Sequence, residues 1–242
     1  MKKIKIILFL ITINLYSQNY IHVNYKVLLF EEELNQKSNI EKGKNNNLEG
    51  TLDEALNVLK SNSNLITFSL IASKNECVFF RNEIMLPEKI SFIGSTVLKV
   101  FHNKFFYTNL ENDIFYEFIN LNSKKYLINY KKEDVEWNIT NESKKIQDFN
   151  VYKAIGLNKY SKEKFIVWFA PELNFNFGPD FSSGLPGLVL EYSLDTYSII
   201  CYQINYNLEK NELNKLNEPN GEVINQEELD KLIKKSMESF KN

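Results

Sequence analysis

Ten residues constrain this chain more than any others. Between Gly178 and Gly187 fall three of its eight glycines and two of its five prolines. The run is Gly178-Pro179-Asp180-Phe181-Ser182-Ser183-Gly184-Leu185-Pro186-Gly187. Glycine reaches positive φ without a Cβ clash, and proline fixes φ near −65° while giving up its N–H. A chain that uses both so sparingly elsewhere predicts a stiff, tightly turned loop here, feeding a strand from Leu188 to Leu194. Gly178, Pro179, Gly184, Pro186 and Gly187 are the expected backbone-setting residues of that loop.

The rest reads as mostly pleated. Ile21, Val23, Tyr25, Val27 and Leu29 alternate with His22, Asn24 and Lys26, the period-two pattern of a half-buried strand. Further strands are expected near 65–72, 77–81, 96–107, 113–121, 124–131, 137–141, 151–157, 164–169 and 198–206. Asn and Asp-rich breaks between them have hairpin length. With 18 Phe and 13 Tyr, the composition favours pleated, half-buried surfaces. A capping box at Thr51 and Glu54 predicts one short helix over 51–60. Asn225 and Glu228 open a second over 226–240, with Leu229, Leu232, Ile233, Met237 and Phe240 on one side. The polar runs 31–50, 83–94 and 207–224 read as loops. The expected class is mainly β: an antiparallel meander sheet or half-barrel, with a short N-terminal helical insertion and a C-terminal helix. Residues 18–242 read as one domain.

Lys2, Lys3 and Lys5 precede a nearly all-apolar run from Ile6 to Leu15, and Ser17 is suited to cleavage. The run is shorter than the roughly 20 residues of a spanning helix and reads as a secretory signal peptide over 1–17. No cysteine follows it, so a lipoprotein anchor at that point is not expected, and no later segment reads as a membrane span. The expected address is outside the cytoplasm, in the periplasm or at the outer membrane of a Gram-negative bacterium. Without residues 1–17 the chain holds 26 basic and 31 acidic side chains, a formal charge of −5. That balance has no basic stripe and argues against nucleic acid as a partner. Cys77 and Cys201 lie in separate strand-like runs. They pair only if those strands are neighbours, and otherwise remain buried thiols.

Several spaced blocks carry a family likeness. Glu136-Trp137-Asn138-Ile139, Lys145-Ile146, Tyr152-Lys153-Ala154, Val167-Trp168-Phe169-Ala170-Pro171-Glu172, Phe177-Gly178-Pro179 and Gly184-Leu185-Pro186-Gly187-Leu188-Val189-Leu190-Glu191 resemble the GLPGLI family of exported bacterial proteins. The likeness covers about residues 133 to 195. Val189 stands where the family usually has Ile. Val151 stands where relatives often carry a cysteine, so a bond made through that cysteine would be absent or rerouted here. The resemblance implies export, and a β-rich fold akin to the half-barrel of periplasmic lipoprotein chaperones. It implies no reaction, because the family has no established biochemical function.

No catalytic set stands out. Gly-x-Ser-x-Gly is missing around Ser182 and Ser183, and only His22 and His102 could serve such a serine through the fold. No metal site is expected, for neither zinc-type spacing nor a calcium loop occurs. No cofactor is implied. Glu172 and Glu191 flank the loop and could act as a carboxylate pair if they shared a cleft, or could instead cap loop N–H groups or meet a lysine. Trp168, Phe169, Phe175, Phe177 and Phe181 could line an apolar pocket or belong to the core. The expected function is an exported, non-catalytic binding or envelope-associated protein. Its ligand would be a hydrophobic small molecule, lipid or peptide, or its partner an envelope protein. Trp168, Phe177, Phe181, Leu185, Pro186, Leu188 and Glu191 are the candidate contacts. The alternatives are a cryptic hydrolase using Glu172, Glu191 or the loop serines, and a purely structural part of an envelope complex.

Overall fold

The computed structural model describes residues 19–44, 49–83, 90–100 and 104–239. The proposed signal peptide therefore lies outside the described residues, as do His102 and Phe240. The chain forms β1 (Ile21–Leu29), α1 (Glu31–Lys44), α2 (Glu49–Asn62), β2 (Thr67–Ala72), β3 (Glu76–Arg81) and α3 (Phe92–Val100). Next come β4 (Phe105–Asn109), β5 (Ile114–Leu121), β6 (Lys124–Asn129), β7 (Val135–Ile146), β8 (Phe149–Asn158) and β9 (Lys164–Ala170). The series ends with β10 (Leu188–Ser193), β11 (Tyr197–Asn205), α4 (Lys210–Leu213), β12 (Glu222–Ile224) and α5 (Gln226–Ser239).

The twelve described strands join one open sheet in the order β12-β6-β5-β4-β3-β2-β1-β11-β10-β9-β8-β7. Every described pairing is antiparallel except that of β12 with β6. Two meanders, β1–β6 and β7–β11, are thus stitched together by the long β1–β11 ladder. The expected mainly antiparallel fold with a C-terminal helix is what the chain adopts.

Period-two alternation sends Ile21, Val23, Tyr25 and Val27 to an inner face, where they join Phe68, Leu70, Phe79, Phe106, Phe165, Val167, Leu188 and Tyr192 in one continuous core. The segment between β9 and β10 passes through this core. Leu173, Phe175, Phe177 and Leu185 are buried in it, while Asn174 and Asn176 face solvent. The segment bonds to itself and to the start of β10: Gly184 N–H donates to Asn176 O at 2.7 Å and Val189 N–H to Phe177 O at 2.9 Å. Register between β9 and β10 shifts after Val189, and the Val189 carbonyl accepts the buried Tyr25 hydroxyl at 2.7 Å. A hydroxyl from the central strand thereby satisfies a carbonyl beside a bulge, where ladder pairing is disrupted.

Two of the glycines are required by close approach. At Gly187, with φ +148°, a Cβ would lie 2.4 Å from the Ala170 carbonyl oxygen. At Gly178 it would lie 2.5 Å from the Val189 Cβ.

Several sequence expectations are corrected. The polar run from Glu31 is helix α1, not a loop, through Lys44; residues 45–48 lie outside the described set. Glu31, Glu32 and Glu33 occupy its first turn and Lys42 and Lys44 its last, matching the helix dipole. Lys42 pairs with Asp53 of α2, and Lys60 of α2 reaches Asn35 at 2.9 Å. The helix expected at 51–60 is longer, starting at Glu49, so Thr51 lies inside it rather than at its cap. The strand expected at 96–107 is split: α3 runs to Val100, and β4 begins at Phe105. Ser91 decides this, its hydroxyl accepting the Gly94 N–H at 2.9 Å as an N-cap. The final polar loop contains α4 and the short strand β12. Cys77 and Cys201 are both free; β2 and β1 separate their strands.

Gly187→Ala should lower the unfolding free energy by on the order of 2 kcal/mol or more, since backbone must move to admit the methyl group. Gly43→Ala, in open space on α1, should stabilise by a few tenths to about 1 kcal/mol. Urea unfolding of the two variants checks the contrast.

Candidate functional site

The structure does not gather the sequence-derived contact residues into one cleft. Phe177 and Leu188 have no accessible surface, and Leu185 is buried beside them. Phe181 meets Phe106 and Tyr130 edge-on, at 5.2 and 5.1 Å between centroids. Pro186 is exposed. Trp168 and Glu191, paired across β9 and β10, belong to the other face. There Lys144 lies 4.3 Å from the Trp168 ring centroid and bonds Glu191 at 2.5 Å. Glu172 accepts the Asn150 N–H at 2.8 Å. Each carboxylate thus has a local structural partner of its own. Ser182 donates to the Pro179 carbonyl, and Ser183 faces Thr108 at 3.5 Å.

Inside, the loop brings charge to the sheet. Asp180, in left-handed backbone with φ 51°, is buried and paired with Lys104. Among the described residues its Oδ1 has no hydrogen-bond partner. Asp180 holds the Lys104 ammonium above its ordinary value despite burial. Glu117, opposite Phe106 in the β4–β5 ladder, shares this environment. Burial first, then the charge of Asp180, push its carboxyl up to about 7 against the opposing pull of Lys104.

A groove opens at the ends of β3 and β4. Phe80, Phe105 and Phe118 come from three adjacent strands. The rings of Phe80 and Phe105 stack at 6.4 Å, and Phe105 meets Phe118 edge-on at 5.9 Å. Lys215, just after α4, lies 4.4 Å from the Phe80 ring centroid. With Arg81, Asn82, Glu83 and Lys104 these residues line an open volume of about 670 Å³. Arg81 is 7% exposed. Its Nη1 donates to the Leu98 carbonyl of α3 at 2.6 Å, whereas Nε and Nη2 are buried without a partner among the described residues. Burial draws the guanidinium below its ordinary pKa. Sequence reading missed this site because outward phenylalanines in a strand look the same as core ones.

It also missed a polar relay. His22 Nδ1 lies 2.6 Å from Glu212 Oε1, and His22 Nε2 lies 3.1 Å from Ser69 Oγ. The order is that of a nucleophile, base and carboxylate. However, Ser69 is 3% exposed, and its Oγ is also within hydrogen-bond distance of Asn24 and Asn82. The relay fastens α4 to β1 and β2. Among the described residues no group of three or more His, Cys, Asp or Glu is arranged to hold a metal ion. No described helix is long and apolar enough to cross a membrane.

No family model matches the chain. No curated protein matches it either. Among solved structures it is similar to PNGF-II in two crystal forms. In the C2 form the TM-score is 0.56 at 15% identity, covering 90% of this chain and 33% of that one. In the P21 form the TM-score is 0.56 at 16% identity, covering 90% and 34%. The chain spans about a third of the length of these structures, and at such identity the likeness is one of fold.

Glu117 supplies a pH test. Its folded-state value lies above that of an unfolded glutamate, about 4.3, so the folded state holds more protons between about pH 4.5 and 7. The stability this contributes is present at the acid end and is lost as pH rises through about 7. Glu117→Gln, which mimics the protonated acid, should therefore gain on the wild type across that window. The gain should reach on the order of 2 kcal/mol near pH 7.5, allowing for partial exposure. Chemical denaturation at both ends of the window checks it; a pH-independent difference would contradict it.

Proposed function

We propose that this chain is an exported binding module without catalytic chemistry, and that its ligand is a hydrophobic small molecule or lipid tail. The run from Lys2 to Leu15 and the GLPGLI-like blocks support export. On this reading the Gly/Pro loop is an internal brace, and the ligand surface is the groove of Phe80, Phe105 and Phe118. One observation carries the reading: three aromatic rings from adjacent strands line an open groove of about 670 Å³. Binding sites for small molecules have that size, and here the three rings are bordered by Arg81, Asn82, Glu83, Lys104 and Lys215. The local engagement of Glu172 by Asn150 and of Glu191 by Lys144 supports the non-catalytic part. So does the burial of Ser69.

The test uses the neutral apolar dye N-phenyl-1-naphthylamine and the full chain. Phe118→Ser should weaken dye binding about tenfold or more, the cost of losing one large apolar contact. Trp168→Ala, on a different part of the sheet, should leave it unchanged. A folded Phe118→Ser protein that binds as tightly as the wild type would overturn the assignment of the groove. Covalent labelling of Ser69 by a fluorophosphonate would overturn the non-catalytic part.

A further inference from the structure

The chain contains a single Asn-Gly pair, Asn220-Gly221. It lies between α4 and β12, outside any helix or strand, and both residues are exposed. Among the described residues no hydrogen bond holds the Asn220 side chain or the Gly221 N–H. Glycine has no Cβ to obstruct the approach of its own nitrogen to the preceding side chain. A nucleophile and a carbonyl on adjacent residues also react within one molecule, with the advantage that proximity gives. The two asparagines followed by serine are held differently. Asn62 Nδ2 donates to the Val58 carbonyl at 2.9 Å, at the end of α2, and Asn122 Nδ2 donates to Ser236 Oγ at 3.4 Å.

We propose that Asn220 is a site of spontaneous covalent modification in the folded protein, and that the modification loosens the C-terminal helix. The Gly221 main-chain nitrogen, on losing its proton to base, attacks the side-chain carbonyl carbon of Asn220. A new C–N bond closes a cyclic imide, the bond from that carbon to the amide nitrogen breaks, and ammonia leaves after taking up a proton. Water then opens the ring at either carbonyl, giving aspartate or isoaspartate. No oxidant, reductant or cofactor enters the balance. The consequence falls on β12, which begins one residue after Gly221. Isoaspartate carries the main chain through an additional methylene carbon and adds a carboxylate. Gly221 has little room to absorb the change, for a Cβ there would lie 3.0 Å from Leu127 Cγ and 3.3 Å from the Lys125 carbonyl oxygen. Glu222 and Ile224 pair with Tyr126 and Ile128 of β6, and Ile224 clusters with Leu229 of α5. A backbone insertion next to so short a ladder disrupts its pairing, and the seat of α5 goes with it.

Storage of the full chain at neutral and at mildly alkaline pH, followed by peptide mapping with mass spectrometry, tests the site. The peptide carrying Asn220 should exchange NH2 for OH about tenfold or more faster than those carrying Asn62 or Asn122. It should split into two products of equal mass, and the rate should rise with pH because the attacking nitrogen must lose its proton. Asn220→Gln, whose side chain is one carbon longer, should stay unconverted over the same interval. Conversion at Asn220 no faster than at Asn62 or Asn122 would overturn the site. Amide exchange of the stored protein tests the consequence. The α5 amides of Leu229 to Ile233 should exchange about tenfold or more faster in the isoaspartate form than in fresh protein. Freshly prepared Asn220→Asp, which adds the charge without the extra carbon, should keep the protection of the unmodified chain. Unchanged α5 protection in the isoaspartate form would overturn the link through β12.

Discussion

The hydrogen bond from the Tyr25 hydroxyl to the Val189 carbonyl joins the two halves of the molecule at their least regular point. β1 is the strand on which both meanders meet, and β10 is bulged where the Gly/Pro segment hands over to it. A disrupted ladder leaves a polar backbone group in an apolar interior, where an unmade bond costs about 1–3 kcal/mol. Tyr25 has no accessible surface, and burial raises its hydroxyl well above the ordinary tyrosine value. It therefore remains a donor throughout the working pH range. The rest of the interior depends on this closure, since Phe177 and Leu185 stay in the core only while the segment before Val189 is held down.

That arrangement separates structural from binding work. The segment from Leu173 to Leu185 uses its aromatic rings to fill the sheet's inner face. Its one buried charge, Asp180, is used to hold Lys104 beside Glu117. The aromatic surface left open lies elsewhere, on Phe80, Phe105 and Phe118, where the strands end and the 210–216 segment crosses them. Leu208, Leu213 and Leu216 cover the adjoining outer surface around Ile71, Val78 and Tyr107. The relay from Glu212 through His22 to Ser69 pins that cover to the sheet.

How far the sequence disclosed this depended on how local each cause was. β1, the β10–β11 hairpin and α5 follow from alternation and from caps only a few residues wide. The Asn225 N–H does donate to the Glu228 carboxylate at 2.8 Å, and the Glu228 N–H to Asn225 Oδ1 at 2.9 Å. Gly187 was legible because the close approach it permits leaves a mark in composition. α1 was not, because its side chains carry little apolar periodicity and its support comes from Asp53 and Lys60 on another helix. α3 reads as strand from the sequence because Val97 to Val100 look pleated, while the deciding Ser91 lies just upstream. The groove was hidden for a different reason. In β3 both Phe79 and Phe80 are apolar, and only the assembled sheet distinguishes the inward ring from the outward one. His22 and Glu212 are 190 residues apart, a separation at which no local pattern operates.

Native-state amide exchange tests the central claim, that the Gly/Pro segment is part of the sheet's cooperative core. The Leu188 and Val189 amides donate to Leu173 and Phe177, at 3.3 and 2.9 Å, and the Gly184 amide donates to Asn176 at 2.7 Å. If the segment braces the interior, these amides exchange only through global unfolding, with the same free energy as those of Val23 and Tyr25 in β1. Exchange through a local opening more than about 2 kcal/mol below that limit would show that the segment detaches by itself, and would contradict the account.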